Sequence, residues 1–129
     1  MTSFAADDCL GLPLEQRGPA LLALAEDQWF DRKSARVAPK DLADDLVAFA
    51  NAEGGTIVVG LSNGRIEDVG ALPHKENELR QASIDHTTPP VRVRVDAIAV
   101  ATGGGKQARL LALTIAPGEQ VHQTKRGDC

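Results

Sequence analysis

The strongest constraint on this chain is a helix that stops on a glycine pair and passes at once into an apolar strand. Over residues 39–52, Leu42, Leu46, Phe49 and Ala50 recur at i, i+4, i+7 and i+8, which is one face of a helix. Pro39 suits its first turn, and Asp41 suits the positive end of its dipole. Gly54-Gly55 ends it, because a left-handed cap favours a residue without Cβ. Thr56 to Leu61 follows as a continuous apolar run, the pattern of a central strand covered on both faces. The glycines serve as a plain C-cap, or as a place where a ligand or another backbone comes close.

Around this corner the remaining elements fall into order. Residues 1–18 read as a loose arm and 19–129 as one domain. A helix candidate at 14–25 is interrupted by Gly18-Pro19 and is firm from Pro19 onward. Trp29 to Lys33 reads as a strand with Phe30 and Arg32 on one side, and Trp29, Asp31 and Lys33 on the other. Ser62-Asn63-Gly64 is a turn, with a return strand expected over Arg65–Gly70. Residues 75–86 form a weaker, polar helix, which Pro89-Pro90 keeps from continuing. Val91 to Val95 alternates, with the valines toward a core and Arg92, Arg94 and Asp96 opposite. A glycine-rich loop, Thr102–Lys106, joins it to a partner strand at Arg109–Ile115. The order predicts an α+β domain. Its sheet is mixed or antiparallel, of about five to six strands, with two to three helices on one side.

Composition narrows the functional classes. The 129 residues carry a formal net charge of -4, which argues against a histone-like basic coat but leaves room for a local basic patch. No apolar run reaches membrane-spanning length and no signal segment opens the chain. Cys9 and Cys129 sit near the two ends, so neither a disulfide framework nor a thiolate metal site is indicated, and a reduced, cytoplasmic setting is expected. Three Phe, one Trp and no Tyr are too few for a base-stacking platform. Gly103-Gly104-Gly105-Lys106 lacks the P-loop pattern, with Val100 in place of the first glycine and Gln107 after the lysine. His74, His86 and His122 have no companions at zinc-ligand spacing. No cofactor is expected on these grounds.

Three basic groups are candidates for contact with a polyanion. Arg32, Lys33, Arg36 and Lys40 lie in the strand-to-helix connection, where a helix N-terminus and basic side chains can share one phosphate. Arg92 and Arg94 form a stripe on a strand face, and Lys125 and Arg126 a pair near the end. Asp41, Asp44 and Asp45 stand ready to neutralise the first group. Nothing in the chain matches a base-reading motif, so binding would be directed at backbone and shape.

One family pattern runs through these residues: Glu26-x4-Asp31-x-Lys33, then Ala48-Phe49-Ala50-Asn51-x2-Gly54-Gly55, Thr56-Ile57-Val58-Val59-Gly60, Asn63-Gly64 and Val69-Gly70. It resembles the Schlafen Alba-like domain, once described as a divergent AAA domain, from about Glu26 onward. Phe49, Asn51, Gly54, Gly55 and Gly60 would be its structural motif residues. In the family the pattern runs on into one more strand, so the domain is expected to be cut short of its last strand. The resemblance implies a nucleic-acid-binding module of a bacterial transcriptional regulator, with DNA favoured over RNA and a homodimer as an open alternative. It also implies a second activity. Some animal members cleave structured RNA with three acidic residues and a divalent metal. Glu26 and Asp31 match two of these acids, Asp standing for the more usual Glu; the third would fall at Ser62 or Asn63, neither a carboxylate. Mg²⁺ or Mn²⁺ is implied only under that alternative. A third alternative is a non-catalytic oligomerisation or interaction domain.

Overall fold

The computed structural model describes residues 8–103, 105–118 and 121–124. Helix α1 spans Leu14–Ala23, β1 Phe30–Lys33, α2 Pro39–Ala50 and β2 Gly55–Val59. Strands β3 (Leu61–Ser62) and β4 (Arg65–Ile66) form a ribbon and lead to a 3-10 turn at Val69–Ala71. Then come α3 (Pro73–Arg80), α4 (Ala82–Asp85), β5 (Thr87–Thr88), β6 (Val93–Gly103), β7 (Lys106–Ile115) and β8 (Gln123–Thr124). The main sheet has the order β1-β2-β7-β6, and β5 and β8 make a second ribbon. Strand β1 runs parallel to β2, as the intervening α2 crossover allows, and the other pairs are antiparallel. The fold is α+β with a mixed sheet. The main sheet holds four strands, and the short strands stand apart in the two ribbons.

The helices do not share one side of the sheet, contrary to the expectation from element order. The alternation of β2 explains why. Ile57 and Val59 pack with Leu42, Leu46 and Ala50 of α2, Leu79 of α3 and Ala82 of α4. Val58 points the other way, into a second core with Leu21 of α1, Phe30, Val100, Leu110 and Ala112. A continuous apolar strand needs cover on both faces, and α1 supplies the second cover. The helix itself starts at Leu14 and runs unbroken through Gly18 and Pro19. Gly18 is buried against Ile66 rather than acting as a break.

Other boundaries shift for local reasons. The return strand ends at Ile66: Glu67 N–H still donates to Gly60 O at 2.6 Å in register with the ribbon, and its carboxylate ties the chain to the β1–α2 connection by accepting from Ser34 Oγ and Ala35 N at 2.8 Å each. Asp68 then accepts from Gly70 N and opens the 3-10 turn. The polar helix over 75–86 is two helices, parted at Gln81. Strand β6 begins at Val93 and extends to Gly103, leaving a tighter hairpin than expected. At the glycine corner the close neighbour is another backbone. Gly54 has φ of +80°, and a Cβ there would lie 2.4 Å from Ile115 O. Gly60, at φ +115°, divides the apolar run into β2 and β3; a Cβ there would meet Glu67 O at 2.8 Å. Among the described residues, no helix is long and apolar enough to cross a membrane.

Candidate nucleic-acid interface

Strand β1 is an edge strand, and its alternation sends neighbouring charges to opposite faces. Arg32 turns toward α1. Its Nη2 donates to Leu21 O at 3.0 Å and to Leu24 O, and its guanidinium lies 5.2 Å from the centroid of the Phe30 ring. A cation on carbonyls at a helix C-terminus is favoured by the dipole, so Arg32 fastens α1 to the sheet edge. Lys33 turns toward α2, with Nζ 3.0 Å from both Asp31 Oδ2 and Asp45 Oδ2. These two cations thus do not form one patch.

The two sequence-matched acids do meet. Glu26, in the α1–β1 connection, hydrogen-bonds the Asp31 side chain and also accepts from Arg32 N at 3.0 Å. The shared hydrogen bond, with Asp31 on its other side, raises the Glu26 pKa. Burial pushes Asp31 up, but hydrogen bonds from Glu26 and Lys33 outweigh it and leave Asp31 below its ordinary value. Burial likewise disfavours the Lys33 ammonium, yet Asp31 and Asp45 hold its pKa above the ordinary one. The two acids thus shift each other in opposite directions, with the Lys33 ammonium already seated beside Asp31. Asp45 reaches the group through Lys33, and among the described residues no three His, Cys, Asp or Glu side chains gather in a metal-holding arrangement. Ser62 pairs with Arg65 in the β3–β4 ribbon.

Arg36 and Lys40 are exposed where β1 gives way to α2. Ala38 offers no side-chain acceptor to the first turn of α2. Arg36 lines a cavity of about 300 Å³ together with Ala35, Glu67, Asp68 and Leu72. A second cavity of about 180 Å³ lies between α3 and β7, lined by Glu76, Asn77, Arg80 and Arg109. Asp68 joins the two, since its Oδ1 accepts from Arg109 N at 2.9 Å. Buried Glu76 grips both arginines, one through each oxygen: Arg80 Nη2 at 2.9 Å and Arg109 Nη2 at 2.6 Å. Burial raises the Glu76 pKa, but the two guanidinium hydrogen bonds reverse this and leave it lowered. Sequence reasoning missed this cluster. The i, i+4 spacing of Glu76 and Arg80 was a readable signal; the arrival of Arg109 from β7 was not.

The other basic groups lie elsewhere. Arg94 shares a cross-sheet rung with Thr114, Thr56 and Phe30, so three strand spacings separate it from β1. At about 4.8 Å each, that is about 14 Å. Arg94 pairs with Asp96 at 2.9 Å, and Arg92 is exposed just before β6. Lys125 and Arg126 lie outside the described residues.

The motif residues have local tasks. Phe49 packs against the α2-side core. Asn51, just past α2, donates from Nδ2 to His122 O and accepts from His122 N through Oδ1, both at 2.9 Å. The imidazole of His122 is buried, with Nδ1 2.6 Å from Pro89 O.

No curated protein matches the chain. Residues 26–129 match the family model described as Schlafen, AlbA_2. The match opens at Glu26, the first of the paired acids, and takes in all of the main sheet, the glycine corner and the Asn51 clamp. The chain therefore belongs to the Schlafen AlbA_2 family and is a nucleic-acid-related domain.

Proposed function

We propose that the domain binds DNA, in preference to RNA, as part of a transcriptional regulator, by phosphate contacts where β1 runs into α2. The observation that carries this reading is the exposure of Arg36 and Lys40 at the start of α2, where Ala38 makes no side-chain cap. Two exposed cations lie beside a helix N-terminus there, which is the chemistry that captures a phosphate. Arg109 and Arg80, one cavity further along, extend the same end of the sheet toward a second phosphate. Arg32 and Lys33 support the surface from behind by holding the strand in place. Arg92 and Arg94 serve a separate surface on the far edge. A homodimer would present the phosphate-binding end twice.

Fluorescence anisotropy tests this with labelled duplex DNA, single-stranded DNA and hairpin RNA at low and physiological salt. Binding should fall steeply with salt. The double variant Arg36→Gln/Lys40→Gln should weaken it and reduce the slope of log K against log salt by about 2, one per lost phosphate contact. Tightest binding should be to duplex DNA. Unchanged affinity in the double variant sinks the proposed surface. No binding at low salt sinks the function. Substrate loss on a denaturing gel with Mn²⁺, abolished by Glu26→Gln, would instead favour a nuclease.

A further inference from the structure

Strand β6 is the outer edge of the main sheet, and its backbone has a readable parity. Ala116 N donates to Arg92 O, so the even-numbered residues of β6 face β7. The odd-numbered residues turn their N–H and C=O groups outward, as Ala99 O confirms by accepting from Arg17 Nη1 at 3.1 Å. Arg17 therefore closes the edge at Ala99. Among the described residues, no strand pairs with the outward groups of Val93, Val95 and Ala97.

We infer that this five-residue stretch, Val93 to Ala97, pairs antiparallel with the same stretch of a second copy of the chain. Three observations lead to one register. The stretch left open by Arg17 has Val95 at its centre, and a two-fold axis there sets Val95 against Val95 and Val93 against Ala97. All of these are outward-facing positions, so each pair can exchange two backbone hydrogen bonds. The same register puts Arg94 directly opposite Asp96 of the second copy, and Asp96 opposite its Arg94. Both side chains are accessible, at 72% and 45% exposure, and within one chain they pair with each other. Sliding one step either way sets Arg94 against Arg94 or Asp96 against Asp96, which like charges oppose. The cover on the sheet agrees as well. Helix α1 packs over Ile98 and Val100, and the antiparallel arrangement sends the two α1 helices to opposite ends of the joint. The result is a continuous sheet across both copies.

Sedimentation velocity of the full chain over a concentration series, without nucleic acid, reads the association directly. The wild type should move from one-copy to two-copy mass. Ala97→Pro removes an outward N–H, is tolerated on an edge strand, and should stay monomeric with an unchanged circular dichroism spectrum. R94D and D96R should each be monomeric alone. Mixed together they should form a heterodimer, because every opposed pair is then of unlike charge. A monomeric wild type, a dimer indifferent to both charge reversals, or a mixture that stays monomeric would overturn the inference. None of these outcomes depends on nucleic-acid binding, which anisotropy reads separately.

Discussion

Asn51 shows how a single side chain can stand in for a strand. Its amide offers one donor and one acceptor in the spacing of a peptide group, and both meet the backbone of His122. Asn51→Ala removes both bonds and leaves a partly buried N–H and C=O with poorer partners. We expect a loss of about 1–2 kcal/mol in denaturant unfolding, with early loss of hydrogen-exchange protection at His122. An unchanged unfolding midpoint would show that water replaces the amide. The importance of Asn51 was legible through the family pattern, but its partner 71 residues away was not. Arg32 and Lys33 divide in the same way. Period-two alternation correctly separated their faces. It said nothing of the α1 carbonyls that hold one, or of Asp45, which holds the other.

At the scale of elements, α1 is where sequence rules misled most. Gly and Pro in succession normally punctuate a helix, yet here the helix passes through both. Tertiary packing decided the matter: Leu21 is fully buried, and Gly18 is closed on by Ile66. Strand β2 was legible as two-sided, but the element covering its second side was not identified. A chain beginning at Glu26 should thus expose Phe30, Val58, Leu110 and Ala112, although it retains the whole family match. Losing the burial of Leu21 alone costs about 1.5–3 kcal/mol. We expect that shortened chain to bind a hydrophobic dye and to melt at least 10 °C lower by about the scaling for a domain of this size. A sharp melt at the full-length temperature would show α1 to be an ornament. Helix α2 behaved more simply, since it has Pro in its first turn and apolar spacing to match.

For the molecule as a whole, pH dependence follows from three carboxyl groups whose pKa values are displaced in different directions. Glu76 and Asp31 have lowered pKa values, so their stabilisation is present above the ordinary values of 4.5 and 3.8. It is lost as pH falls through the lowered values. Glu26 is raised, so its contribution is complete below 4.5 and is lost as pH rises through the raised value. Glu76→Gln should flatten the acid side of the stability curve and cost about 1–2 kcal/mol at neutral pH, discounted because Arg109 is half exposed. Glu26→Gln should flatten the curve on the other side of that point. Urea unfolding from pH 3 to 8 checks both, and parallel curves for wild type and variants would refute the assignments. The net acidity was plain in the sequence; which acids are held by which cations required the fold. The Asn51 clamp has one more consequence, a mechanical one. Among the contacts of the described residues, pulling on the chain beyond Thr124 would first strain the β5–β8 ribbon and the two bonds to Asn51, then the Gly118 N–H on Ala50 O. Only after these yield does tension reach β7 and the central sheet. The end of α2 is a sacrificial tether, so a force applied at that side of the domain would be spent in peeling before it could shear the core.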